Sequence, residues 1–148
     1  MNTCSEIMTQ NIECCVPSTT VDQVAKLMKF KYVGPIPIVE NLRTKKLLGI
    51  VTDRDLVLKV LGDSHDPKTT KVEDVMTHRP ITCGPDDSVD EALKLMERHQ
   101  VRRLPIVNQF SQLIGIISEA DIATRFKQPG KTAALVEAVS KAKAASTR

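Results

Sequence analysis

Tryptophan is absent, tyrosine occurs once and phenylalanine three times, so aromatic residues make up only 3% of the 148. A close-packed core must therefore be assembled from Val, Ile, Leu, Met and Ala. The same shortage removes the platforms on which single-stranded nucleic acid stacks. A net charge of +3 is too small to argue for a duplex-binding face, so nucleic acid is not an expected partner. No apolar run approaches the roughly 18–20 residues that cross a bilayer, and the opening MNTCSEIMTQ has neither the basic nor the apolar segment of a secretory signal. A cytoplasmic protein that does not engage a membrane is expected. There is no Walker loop, no GxGxxG and no nucleophile with a plausible base, so no catalytic residue is assigned and an enzyme is not expected. The four cysteines (Cys4, Cys14, Cys15 and Cys83) show no CxxC spacing. Reduced structural thiols are the plain reading, and a metal or redox role for Cys14, Cys15 and Cys83 stays open beside it.

What the sequence does contain is a duplication. Met8-Thr9 returns as Met76-Thr77, Cys15 as Cys83, Pro17 as Pro85, Val21-Asp22 as Val89-Asp90, and Lys26-Leu27-Met28 as Lys94-Leu95-Met96. Pro37-Ile38-Val39 matches Pro105-Ile106-Val107 at the same offset of 68. Beyond these the offset becomes 66: Gly49-Ile50-Val51-Thr52 matches Gly115-Ile116-Ile117-Ser118, and Asp55 matches Asp121. The two lost residues fall in a polar turn, as expected for a true repeat.

Each copy reads as β-α-β-β-α. Short extended stretches (Ile12 to Val16 and Ile81 to Cys83) precede helix starts at Thr20-Val-Asp-Gln23 and Ser88-Val-Asp-Glu91, which fit the capping box. Apolar residues follow at helical spacing, including Met28 and Met96 as core residues. Two runs rich in β-branched residues then make a hairpin, Ile36 to Val39 with Leu47 to Val51, and Leu104 to Val107 with Leu113 to Ile117. A second helix follows, from about Asp53 to Leu61 and from about Glu119 to Phe126. One copy alone is too small to bury a good core, so the expectation is an α/β (α+β) pair packed sheet to sheet about a pseudo-twofold axis. The boundaries are repeat 1 at 1–61, a polar linker at 62–70, repeat 2 at 71–128 and a tail at 129–148, in which Thr132 caps a helix carrying Leu135, Val136, Val139 and Ala142.

Chemistry concentrates where a strand runs into the second helix, at Gly49-Ile-Val-Thr-Asp-Arg-Asp55 and Gly115-Ile-Ile-Ser-Glu-Ala-Asp121. Thr52 and Ser118 place a hydroxyl, and Asp55 and Asp121 a carboxylate, on the first helical turn. A hydroxyl beside free amides suits a phosphate, and a carboxylate there can accept from a ribose diol. The same spacing is also a plain capping box, and the two roles are compatible.

The tandem unit, its Val-Met-Thr opening, the Arg-Arg-Leu-Pro-Ile-Val stretch and the Gly-Ile-Val-Thr-Asp-Arg-Asp turn resemble the CBS (cystathionine-β-synthase) domain pair, or Bateman module, over about Ser5 to Phe126. The nearest kind is the small stand-alone prokaryotic pair. The resemblance implies a regulatory module that binds an adenosine-containing ligand (AMP, ADP or ATP, with S-adenosylmethionine and NAD as further members of the class) between the repeats, with no obligatory cofactor. It places the ribose-binding aspartate on Asp121 and Asp55, and the phosphate-binding hydroxyl on Ser118 and Thr52. Phosphate-contacting cations fall on Arg102 and Arg103, and adenine contacts on Ile81, Thr82, Ile106 and Ile116. Repeat 1 departs from this pattern, with Gly34-Pro35 where repeat 2 has Arg102-Arg103, and Arg54 is its nearest substitute. Arg102 and Arg103 also fit a simpler pairing with Glu97 or Glu119. The resemblance further implies a homodimer through the second helices (Leu56, Leu58, Val60 and Leu61; Ile122, Ala123 and Phe126), and leaves room for an unknown protein partner. An empty scaffold pair and a metal- or redox-linked pair are the alternatives.

Overall fold

The computed structural model describes residues 2–125; the expected tail helix and Phe126 lie outside them. A first helical turn, α1 (Cys4–Ile7), precedes helix α2 (Val21–Lys31), strands β1 (Pro35–Val39) and β2 (Leu47–Thr52), and a turn α3 (Asp53–Asp55) that widens into a π-helix (Leu56–Leu61). After a 3₁₀ turn (Val72–Asp74) come β3 (Thr77–His78), helix α4 (Val89–His99), strands β4 (Arg103–Val107) and β5 (Leu113–Ser118), and helix α5 (Glu119–Arg125). The mixed α/β architecture with two repeats is the one read from the sequence.

Local chemistry explains the elements. Helix α4 starts at Ser88, whose side chain accepts from the Glu91 amide at 3.1 Å, as a capping residue should. Helix α2 does not repeat this: the Thr20 hydroxyl donates instead to the Asp22 carboxylate, so the capping box expected at Thr20 is not formed. Both helices end on a residue in the left-handed region, Tyr32 at φ 54° and Gln100 at φ 55°. The next amide in each case returns to a methionine carbonyl, Val33 to Met28 and Val101 to Met96, closing the last turn.

The extended stretch that opens each repeat is shorter than the sequence suggests. It makes one parallel bridge, Cys15 to Ile38 and Cys83 to Ile106. Each bridge has two bonds: Cys15 N–H to the Pro37 carbonyl and Val39 N–H to the Cys15 carbonyl, then the same from Cys83 to Pro105 and from Val107 to Cys83. Pro17 and Pro37, like Pro85 and Pro105, lack the N–H that a longer ladder requires.

The chain divides into two compact units that do not follow its linear order. Among the described residues the repeat-1 unit comprises Ile12–Pro80 with Phe110–Leu113, and the repeat-2 unit comprises 2–11, Ile81–Gln109 and 114–125. The Met-Thr opening of each repeat is therefore built into the other unit. In the repeat-1 unit β1 and β2 are antiparallel (Ile36 opposite Val51, Ile38 opposite Gly49), and β3 adds antiparallel to β2 (Gly49 opposite His78, Ile50 opposite Thr77). In the repeat-2 unit, where β4 neighbours β5, Thr9 takes the corresponding place, exchanging both backbone bonds with Ile116. Glycine is needed where the openings cross. A Cβ on Gly49 would lie 2.7 Å from the Thr77 carbonyl oxygen, and one on Gly115 would lie 3.0 Å from that of Thr9.

Each unit has its own aliphatic core. In the repeat-1 unit it is built on Val21, Val24, Met28, Ile36, Ile38 and Val51, closed by Val72, Val75 and Met76 from the exchanged opening. In the repeat-2 unit it is built on Val89, Ala92, Met96, Leu104, Ile106 and Ile117, closed by Cys4 and Ile7. Of the residues expected to form a dimer contact, Val60 and Ile122 are core residues and Leu56 packs on the core, while Leu58, Leu61 and Ala123 are exposed. Among the described residues no helix is long and apolar enough to cross a membrane.

Candidate functional site

The two strand-to-helix turns are complete capping boxes. At Thr52 the hydroxyl accepts from the Asp55 amide at 3.3 Å, while Asp55 Oδ2 accepts from the Thr52 amide at 2.9 Å and its hydroxyl at 3.2 Å. At Ser118 the hydroxyl accepts from the Asp121 amide at 3.0 Å, and Asp121 Oδ2 accepts from the Ser118 amide at 3.1 Å. Each box leaves the second carboxylate oxygen, Oδ1, pointing elsewhere, and there the two copies part company.

At Asp121, Oδ1 meets the Thr9 hydroxyl at 3.4 Å, longer than the about 2.7–2.8 Å usual for an O–H···O bond. At Asp55, Oδ1 lies 3.3 Å from the Lys59 ammonium, four residues on, which also donates to the Val75 carbonyl at 3.1 Å. The residue matching Lys59 is Arg125, and its guanidinium turns to the carbonyls of Ile7 (2.9 Å) and Met8 (3.3 Å). Thr9, Lys59 and Arg125 were not singled out by the sequence reading. The repeat offset lines up Lys59 with Arg125, but only the fold reveals that they choose different acceptors.

The remaining candidates are distributed as follows. Arg102 Nε lies 3.5 Å from Glu119 Oε1 in a half-buried ion pair, the simpler of the two pairings considered for it. The Arg102 carbonyl also accepts from the Glu119 amide at 2.9 Å, which fixes the strand against the turn. Arg103 begins β4 with an exposed side chain. In repeat 1 Asp53 takes the place of Glu119 and packs over Gly34, where a Cβ would be 3.2 Å from its carboxylate oxygen. Arg54 is exposed. Ile106 and Ile116 are buried, and both backbone groups of Ile116 are taken by Thr9, whereas Thr82 is half-buried and Ile81 exposed.

The cysteines are placed as packing residues. Cys4, Cys15 and Cys83 are buried, and all four are free thiols. The Cys4 thiol donates to the Ser88 carbonyl at 3.8 Å, and the neighbouring Cys83 together with burial pushes it well up. Burial raises Cys14 and Cys15 as well. Cys83 is shifted the other way, lowered by its neighbour Cys4. The three raised thiols are poor nucleophiles and poor metal ligands, and among the described residues no group of three His, Cys, Asp or Glu side chains can hold a metal ion.

Comparison with known proteins agrees with this architecture. CBSX2, whose crystal structure is of a complex with AMP, is 27% identical and superposes with a TM-score of 0.72 over 84% of this chain and 95% of that one. The structure of Hypoxic Response Protein I, which holds two coordinated zinc ions, is 33% identical with a TM-score of 0.76 over 84% of this chain and 99% of that one. CBS domain-containing protein YhcV of Bacillus subtilis (strain 168) is 37% identical over 123 residues, 83% of this chain and 84% of its own. The CBS domain family model matches twice, at residues 4–62 and 72–127. The chain thus belongs to the CBS domain family and carries that domain in tandem.

Proposed function

We propose that this chain is a regulatory module that binds an adenosine nucleotide (AMP, ADP or ATP) at Asp121 and acts by binding rather than by catalysis. The observation that carries the reading is the Asp121 carboxylate itself. One oxygen is fixed by the Ser118 amide, and the other has only a long contact with the Thr9 hydroxyl among the described residues. A ribose diol donates two O–H groups and needs an acceptor of this kind. The Ser118 hydroxyl, with Arg102 and Arg103 beside the same turn, supplies donors for phosphate, and Thr82 with the exposed Ile81 side chain supplies the adenine contacts. The AMP complex of CBSX2 supports the choice of ligand class. For such a ligand to regulate, it must bind one conformation better than another.

The test is a thermal-shift panel with AMP, ADP, ATP, NAD, S-adenosylmethionine and zinc on the wild type and Asp121→Ala. A ligand at about 100 times its dissociation constant stabilises by about 2.7 kcal/mol, a rise of several degrees for a domain of this size. A shift with an adenosine compound, lost in Asp121→Ala, supports the reading. No shift with any of the five, in protein shown to be folded and ligand-free, removes it. A shift with zinc alone would favour a metal-linked pair. We also infer a homodimer in the cytoplasm, supported by the exposed Val57, Leu58 and Leu61 beside an apolar groove of about 340 Å³ lined by Val21, Ala25, Met28 and Leu56. A monomeric mass by sedimentation at micromolar concentration would count against it.

A further inference from the structure

We propose that Lys59 holds the repeat-1 aspartate shut, so that each chain carries one competent ribose site, at Asp121, and a second, at Asp55, that opens when Lys59 is removed. The inference rests on the reading of these aspartates as ribose acceptors and deepens it by naming the residue that sets the number of sites.

The argument compares two carboxylates in the same local frame. Both are fixed by a capping box, and both are followed four residues later by a cation, one helical turn away on the same face. In repeat 1 the cation is short enough to turn back. Lys59 Nζ lies 3.3 Å from Asp55 Oδ1 and donates to the Val75 carbonyl at 3.1 Å, so it is held from two sides. With Oδ2 taken by the Thr52 amide and hydroxyl, both oxygens of Asp55 are engaged, and its side chain is only 18% exposed. A ribose hydroxyl arriving there must displace a charge-assisted bond and offers only a neutral one in return.

In repeat 2 the matching Arg125 is drawn off by two backbone carbonyls, those of Ile7 and Met8. Asp121 Oδ1 keeps only the 3.4 Å contact with Thr9, which a ribose hydroxyl can replace at a shorter distance. The longer guanidinium, with its planar array of donors, suits paired carbonyls as a single ammonium does not. The divergence at one matched position therefore decides which aspartate is available. The absence of an Arg102 equivalent at Gly34, with the Asp53 carboxylate packed there instead, adds to the disadvantage of repeat 1 for a phosphorylated ligand.

The experiment is calorimetric titration with AMP and, separately, ATP. Wild type should bind one equivalent per chain, and Asp121→Ala should lose it. Adding Lys59→Met to Asp121→Ala should restore one equivalent, at least tenfold tighter than in Asp121→Ala alone, and adding Asp55→Ala should abolish it again. Lys59→Gln serves as the second variant if the methionine form melts early. Two equivalents on wild type, or no gain from either Lys59 substitution, would overturn the lock. Weaker binding after Lys59 is replaced would overturn it too and make Lys59 a phosphate contact. If Asp121→Ala binds as wild type does, it is the ribose reading that fails. The lock is then decided by whether Lys59→Met alone raises the stoichiometry from one to two.

Discussion

The two aspartates, Asp55 and Asp121, have the same neighbours in sequence and different partners in space. Each closes a capping box with a hydroxyl three residues earlier, and each precedes a basic residue by four. Lys59 nevertheless reaches the carboxylate whereas Arg125 reaches the backbone of the N-terminal turn. Duplication thus supplies two equal frames, and a change of head group on one side chain makes them unequal. An i,i+4 ion pair whose ammonium is about half exposed is worth at most about 1 kcal/mol to folding. Lys59 therefore contributes modestly to stability, through this pair and its bond to the Val75 carbonyl, while it engages the oxygen that Asp55 would otherwise offer.

The same inequality runs through the cores. The main core cluster of the repeat-1 unit lies between Cys15 and Met76, with Leu113 the one buried residue that unit takes from elsewhere, whereas the repeat-2 cluster needs Cys4 and Ile7 from before that stretch. If the repeat-1 unit unfolds, the intervening Ile12–Pro80 becomes a flexible loop inside the other unit, and closing it costs roughly 4 kcal/mol by (3/2)RT ln n. Ile38→Ala and Ile106→Ala should each remove about 2–5 kcal/mol, since both side chains are fully buried. Their reach should differ. By hydrogen exchange, Ile38→Ala should lower protection in both units, and Ile106→Ala should leave α2 and the β1–β2 hairpin protected. Equal spread from both would remove the asymmetry.

A smaller effect tests the exchanged openings. Gly49→Ala brings a Cβ to 2.7 Å from the Thr77 carbonyl, and Gly115→Ala brings one to 3.0 Å from that of Thr9. The nearest atoms of all are the sulfurs of Met76 and Met8, which can swing aside, so the backbone distance decides. Overpacking of this kind costs about 1–3 kcal/mol, and Gly49→Ala should stand at the upper end with Gly115→Ala below it. Urea denaturation of the two variants would rank them, and the reverse order would mean that the Thr77 edge yields more readily than the Thr9 edge.

Much of this architecture was legible because it is local. The offset of 68 pairs Pro37-Ile38-Val39 with Pro105-Ile106-Val107, and both become strands; Ser88, Thr52 and Ser118 all cap as their spacing indicates. The exchange of Met8-Thr9 and Met76-Thr77 was not legible, since pairing with the sheet of the other repeat leaves no trace in the period of either segment. The glycines at 49 and 115 were visible as matched positions, but the close approach that requires them is tertiary. Lys59 could be aligned with Arg125, yet the choice between carboxylate and carbonyl depends on where Val75, Ile7 and Met8 come to lie. Thr20 failed as a cap because Asp22, two residues on, offered its hydroxyl a charged acceptor.

That last difference leads to the smallest pair of effects. Ser88→Ala removes a side-chain acceptor from the Glu91 amide and should cost about 1 kcal/mol. Thr20→Ala removes no cap and should cost less, but its cost should depend on pH. The Thr20 hydroxyl, ahead of smaller contributions from the Gln23 amide and Lys26, holds the Asp22 carboxyl below its usual 3.8. A carboxylate favoured in the folded state stabilises it above the unfolded value, and that stabilisation is lost as pH falls through the folded value. The melting difference between wild type and Thr20→Ala should accordingly be present well above the ordinary Asp22 value of 3.8 and shrink as the pH falls below it and Asp22 takes up its proton. Ser88 bonds an amide that does not titrate, so its variant should show a difference that changes little over the same range. A Thr20→Ala penalty that is constant with pH would mean that the hydroxyl supports the helix start directly, and the two repeats would then begin their first helices alike.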